Sequence, residues 1–106
     1  MLRIYDVMLE MLREVRLLLP GVEQHDADLA RQLRRAASSV VLNCAEGMYS
    51  RGRNQSARFH TSMGSAREVL ACFEVAEALG YLEPVGDAFV ARQNRIIGTL
   101  NRLVRP

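Results

Sequence analysis

The 106-residue sequence predicts an all-α protein: an antiparallel up-down-up-down four-helix bundle forming a single domain over residues 1–106. Three observations carry that prediction. Apolar residues recur at steps of three and four in four successive segments, and no stretch alternates with the period of two that a half-buried strand requires. Glycine and proline number only 7 and 3, too few turn residues for a β-sandwich. The breaks between segments are short, so consecutive helices must turn back on one another.

In the first helix Ile4, Val7, Met8, Met11, Val15 and Leu18 draw one apolar stripe. Leu19-Pro20-Gly21 is expected to stop it, because proline lacks the N–H that a helix needs. A second helix begins near Asp26 or Asp28, either a suitable N-cap, and carries Leu29, Leu33, Ala36, Val40, Cys44 and Gly47 on one side. Ser50 to Asn54 is the next break, with Asn54 as a candidate cap. The third helix holds Phe59, Met63, Ala66, Leu70, Phe73 and Ala76 and closes at Leu79-Gly80, where glycine takes the left-handed C′ position. The fourth opens at Glu83-Pro84, with Asp87 near the positive end of the helix dipole, and continues through Phe89, Ile96, Leu100 and Leu103.

Length and charge bound the function. A chain this short excludes an enzyme with separate cofactor and substrate domains. All 14 basic residues are arginine, so chemistry that needs a lysine, as a Schiff base or on a nucleotide phosphate, is excluded. The net charge of +2 averages over an alternation: −3 in residues 1–30, +5 in 31–58, −4 in 59–91 and +4 in 92–106. In an up-down-up-down bundle the acidic first and third helices each flank the basic second and fourth. Ion pairs then favour that arrangement, each by about 0–1 kcal/mol.

No run of about 18 apolar residues would span a membrane, and the charged N-terminal segment does not resemble a secretory signal. The expected compartment is cytoplasmic, with Cys44 and Cys72 as reduced, buried thiols. Two cysteines and two histidines (His25, His60) spread along the chain lack the clustering of a zinc site, and nothing calls for a cofactor or a small-molecule substrate.

The most unusual stretch runs from Gln32 to Gly47. Asn43 lies seven residues after Ala36, at the border of the apolar stripe, while Arg35, Ser39 and Glu46 share a neighbouring face. In the third helix Arg58 and Ser65 are also seven apart, with Glu68 beside them. Polar groups at the edge of a core must find partners, since an unsatisfied one costs about 1–3 kcal/mol. Asn43, Glu46, Arg58, Ser65 and Glu68 are therefore expected to form a network between helices 2 and 3.

The same stretch, QLRRAASSVVLNCAEG, resembles the Q-L-R-R-A-x-x-S-[IV]-x-x-N-[IV]-A-E-G signature of the 23S rRNA intervening-sequence proteins, also called four helix bundle proteins. That family includes the accessory variability determinant of diversity-generating retroelements. Leu19-Pro20, Arg58-Phe59, Gly64-Ser65 with Glu68, and Leu79-Gly80-Tyr81 extend the resemblance over nearly the whole chain. Cys44 departs from it, standing where a branched aliphatic is usual, as does Ser62-Met63 in place of Ala-Arg, which costs a basic residue. The resemblance implies an antiparallel four-helix bundle assembled as a homopentameric barrel, without established enzymatic activity. In the retroelement branch a basic barrel surface engages nucleic acid and a reverse transcriptase.

Each candidate site has two readings. The carboxylates Glu46 and Glu68, beside Asn43 and Ser65, suit either acid–base chemistry or a purely structural network. Gly47 and Gly64 are read as points of close helix approach rather than phosphate cradles. Arg34, Arg35, Arg51, Arg53 and Arg58 suit phosphate recognition, or pairing with the acidic helices. With only Tyr49 nearby for stacking, contact with RNA or DNA would run through the backbone and depend strongly on salt. An enzymatic alternative rests on Arg53 and His60, which fit the loose arginine–histidine spacing of HEPN ribonucleases, another all-α family. Apolar residues on second stripes, Leu12 and Leu19 on the first helix and Val69, Cys72 and Leu79 on the third, predict self-assembly. The sequence thus points to a non-enzymatic, self-assembling scaffold or adaptor, with nucleic acid or a nucleic-acid enzyme as candidate partner.

Overall fold

The computed structural model describes residues 2–104, and all the regular structure among them is helical. Helix α1 spans Arg3–Glu23, α2 Ala27–Met48, α3 Gly52–Ala78 and α4 Asp87–Leu103. Helices α2 and α3 share the largest interface, α1 packs on α2 and α4, and α3 packs on α4. The core is built from the stripes seen in the sequence: Met8, Met11 and Val15 of α1, Leu33, Val40 and Cys44 of α2, Phe59, Ala66 and Phe73 of α3, and Phe89, Ile96 and Leu100 of α4.

Local chemistry explains two of the helix ends. Asp26 is the N-cap of α2, its carboxylate accepting the Leu29 N–H at 2.9 Å. Gly80, at φ +77°, closes α3 in a Schellman turn: Tyr81 N–H donates to Ala76 O at 2.8 Å and Gly80 N–H to Glu77 O at 3.0 Å.

Three expected boundaries are corrected. Helix α1 runs through Pro20 to Glu23 instead of stopping there. Proline removes a single N–H, and its would-be acceptor belongs to exposed Arg16. One more turn buries Val22 completely and lets Gln24 N–H donate to Pro20 O at 3.0 Å. Asn54 is not a cap but lies inside α3, donating to Ser50 Oγ at 3.1 Å, while Arg51 occupies the N-cap position without a side-chain hydrogen bond. Helix α4 begins at Asp87, not at Glu83-Pro84. Gly86 has φ +91°, a conformation incompatible with a right-handed helix, and residues 81–86 instead form a loop that packs Tyr81, Leu82 and Val85 on the core.

The expected second apolar stripe of α3 is also corrected in part. Val69 and Cys72 are buried within this chain, because the interface of α2 with α3 is broad enough to cover both. The apolar surface that does remain comprises Leu17, Leu42, Tyr49, Val75, Leu79 and Val90. No helix among the described residues is long and apolar enough to cross a membrane.

A polar seam and a basic end

Between α2 and α3 a seam of polar contacts descends one helix as it climbs the other. Gln55 Nε2 donates to Gly47 O (3.0 Å), Arg58 Nη1 to Asn43 Oδ1 (3.3 Å) and Ser62 Oγ to Val40 O (2.6 Å). Ser65 Oγ donates to Ser39 Oγ (2.7 Å), and Gln32 Nε2 to Glu68 Oε2 (3.2 Å). The order of partners makes the two helices antiparallel. Ser39 is the hub, since its hydroxyl also accepts from Asn43 Nδ2 at 3.0 Å, and the same amide group reaches Ser39 O.

Of the five residues expected to form one network, Asn43, Arg58 and Ser65 are joined through Ser39. Glu68 belongs to a separate pair with Gln32. Glu46 is exposed, and no side-chain hydrogen bond of it is found among the described residues. Three residues past Asn43, it is rotated about 60° further round the helix, away from α3. The two carboxylates do not meet: Gln32, the partner of Glu68, is 14 residues from Glu46, about 21 Å along α2. Sequence reasoning placed Ser39 on the right face without assigning it a role. Ser62 is fully buried and its hydroxyl donates to the Val40 carbonyl, a role that no spacing in the sequence signals, and the accompanying Met63 is core.

Gly47 does allow close approach: a Cβ there would lie 2.6 Å from Phe59 Cε1. Gly64 does not act this way, because a Cβ there would meet nothing within 4 Å; the position faces outward on α3. Both cysteines are buried, and burial pushes each thiol up to about 11, with Glu68 adding to the effect at Cys72. Burial thus favours the protonated thiol at both positions. Among the described residues no three His, Cys, Asp or Glu side chains gather as a metal site.

The candidate arginines divide into two groups. Arg35 borders an open groove of about 550 Å³ between α2 and α3, with Arg31, Asp28, Gln32, Ser39, Ser65 and Glu68. Arg34 turns the other way, toward Glu23 of α1 at 3.9 Å. Arg51, Arg53 and Arg58 lie at the α2–α3 junction, and the fold brings Arg3 and Arg102 to the same end. Arg3, Arg51, Arg53 and Arg102 are exposed there without an ion pair among the described residues. Beyond Arg34–Glu23, the expected pairing of basic and acidic helices is realised at Arg92 of α4 with Glu14 of α1. His60 is exposed on α3, two turns from Arg53, and neither residue lines a described cavity.

Four helices around one core, two of them joined by a polar seam, define the class as an all-α helical domain. The 23S rRNA-intervening sequence protein family matches residues 1–102, and the chain belongs to it. A solved structure similar to it is a protein of unknown function from the S23 ribosomal protein family of Bacteroides thetaiotaomicron. The two are 15% identical, with a TM-score of 0.85 over 97% of this chain and 99% of that one, a likeness of fold. No curated protein matches the chain.

Proposed function

We propose that the protein is a non-catalytic scaffold, an up-down-up-down bundle that assembles as a homopentamer and holds a nucleic-acid backbone, or an enzyme that works on one such as a reverse transcriptase, through its basic end. One observation carries the reading: Arg3, Arg51, Arg53 and Arg102 collect at one end of the bundle without acidic partners among the described residues, although the sequence contains nearly as many acids as arginines. Unpaired guanidinium groups suit phosphate oxygens, which they bind in a bidentate fork. Four exposed cations spread over a helix end match a charged backbone better than one small anion. The antiparallel α2–α3 seam supports the topology, and exposed Leu17, Leu42 and Val75 supply apolar area for contacts between copies.

The test is a titration of labelled RNA and duplex DNA at low and moderate salt, comparing the wild type with the Arg51→Ala/Arg53→Ala double variant. Binding that weakens steeply with salt, and with a shallower slope in the variant, supports the reading; equal affinities or no binding at low salt removes it. Light scattering reports assembly independently: the expected mass is about five times the 11.9 kDa of one chain.

A further inference from the structure

Among the arginines of the basic end stands one aromatic ring. Tyr49 is 84% exposed, more than any other large apolar side chain among the described residues. There its ring stacks on no other ring and lies under no guanidinium. Arg51 and Arg53 follow it by two and four residues.

A lone apolar side chain on a loose loop would call for no explanation, but this one is held in the open. Tyr49 N–H donates to Glu46 O at 3.2 Å, and Ser50 Oγ donates to the same carbonyl at 2.8 Å. Asn54 Nδ2 donates to Ser50 Oγ at 3.1 Å, and Gln55 Nε2 to Gly47 O at 3.0 Å. These bonds fix the backbone on both sides of the ring, so little freedom is left to lose when a ligand covers it.

Beside the ring lies an open cavity of about 400 Å³, lined by Met48, Gln55 and Leu103 as well as by Tyr49 itself. Its walls mix hydrocarbon with an amide and include no acid. A nucleobase suits such a surface, having flat faces for stacking, hydrogen-bonding edges and no net charge, while its phosphate stays outside with the arginines. Only an unpaired base reaches it, because in a duplex each base is stacked on its neighbours. Phosphate contacts alone favour the opposite form, since a duplex is the more densely charged and releases more counterions than a single strand. A preference for the single strand is therefore the signature of the ring and not of the arginines.

We infer that, given the nucleic-acid contact proposed above, this end takes single-stranded rather than duplex nucleic acid, with one unpaired base stacked on Tyr49 and the flanking phosphates on Arg51 and Arg53.

The experiment follows fluorescence anisotropy of three labelled probes with the full chain: a single strand of about 12 nucleotides, the same strand annealed to its complement, and a strand of equal length without bases. The wild type is expected to bind the single strand about fivefold or more tightly than either other probe, the gain one base stacked on an aromatic ring supplies. Tyr49→Phe keeps the ring and is expected to keep that preference. Tyr49→Ala is expected to bind the single strand as weakly as the baseless one, with duplex affinity and salt slope unchanged, since no phosphate contact is lost. Tyr49 is exposed, so the variant leaves the core intact, which its urea midpoint checks. Equal or tighter binding of the duplex, or unchanged single-strand affinity in Tyr49→Ala, overturns the inference and leaves the phosphate contact standing. So does a changed mass of Tyr49→Ala in light scattering, which places the ring between copies of the chain. Absence of binding to all three probes removes the phosphate contact as well.

Discussion

The two ends of the bundle are built differently. At the end where α1 gives way to α2 and α3 to α4, the chain closes over itself. Val22 is fully buried, Gly21 lies where a Cβ would come within 2.7 Å of Leu82, and His25 stacks on Tyr81 with ring centroids 5.2 Å apart. Tyr81 OH points at Asp26, the cap of α2, at 3.5 Å. Acids gather there: Glu23, Asp26, Asp28, Glu77, Glu83 and Asp87. At the other end only residues 49–51 join α2 to α3; Tyr49 is 84% exposed, and the charged groups are mainly arginines. The six-residue loop after Gly80 brings three half-buried side chains, Tyr81, Leu82 and Val85, to cover its end, whereas the only large apolar side chain of the three-residue junction, Tyr49, points into solvent. The lesson is that loop content, more than helix content, decides which end of a small bundle is sealed and which keeps a cavity.

Matched phenylalanines test this contrast most severely. Phe89 packs edge-on against Phe73, with centroids 5.0 Å apart, toward the sealed end, and Arg92 lies over its ring. Phe89→Ala is expected to cost about 3–5 kcal/mol in urea denaturation. Phe59→Ala is expected to cost at least about 1 kcal/mol less, because the space it vacates joins a cavity already open to water. Equal losses would mean that both ends are packed alike.

A smaller effect is expected from the caps. Asp26→Ala removes the hydrogen bond to Leu29 N–H and is expected to lower stability by about 1–2 kcal/mol. Arg51, in an extended conformation at the uncapped start of α3, invites the opposite change: Arg51→Ser is expected to raise the urea midpoint, by about 0.5–1 kcal/mol in stability. A loss there would show that the basic end is already satisfied. Smallest is Glu23→Gln, which breaks a 3.9 Å pair whose side chains are both more than half exposed. It is expected to change stability by less than about 0.5 kcal/mol, and a larger loss would make charge a main support of the sealed end.

Much of the fold was legible in the residues. The apolar stripes, the Asp26 cap and the Gly80 terminus depend on a few neighbouring positions, and the structure follows them. The stop expected at Pro20 failed because a buried Val22 lay two residues beyond it. Gln93 went unread because a polar residue does not announce a core position, yet it is fully buried and its Nε2 donates to Ala66 O at 3.1 Å. The candidate site was less legible. Glu46 and Asn43 are three residues apart, and only the rotation of α2 against α3 separates the bonded side chain from the exposed one.

By itself, then, the sequence determined the number of helices, most of their core faces and the order of charge along the chain, because each follows from local periodicity and backbone preference. Only the tertiary structure decided that arginines without ion pairs collect at one end of the molecule, that Ser39 is the hub of the seam, and that Gly47 rather than Gly64 lies under an aromatic ring. Those outcomes depend on how one helix is rotated and shifted against the next, which is set by packing over the whole core and is written in no single segment.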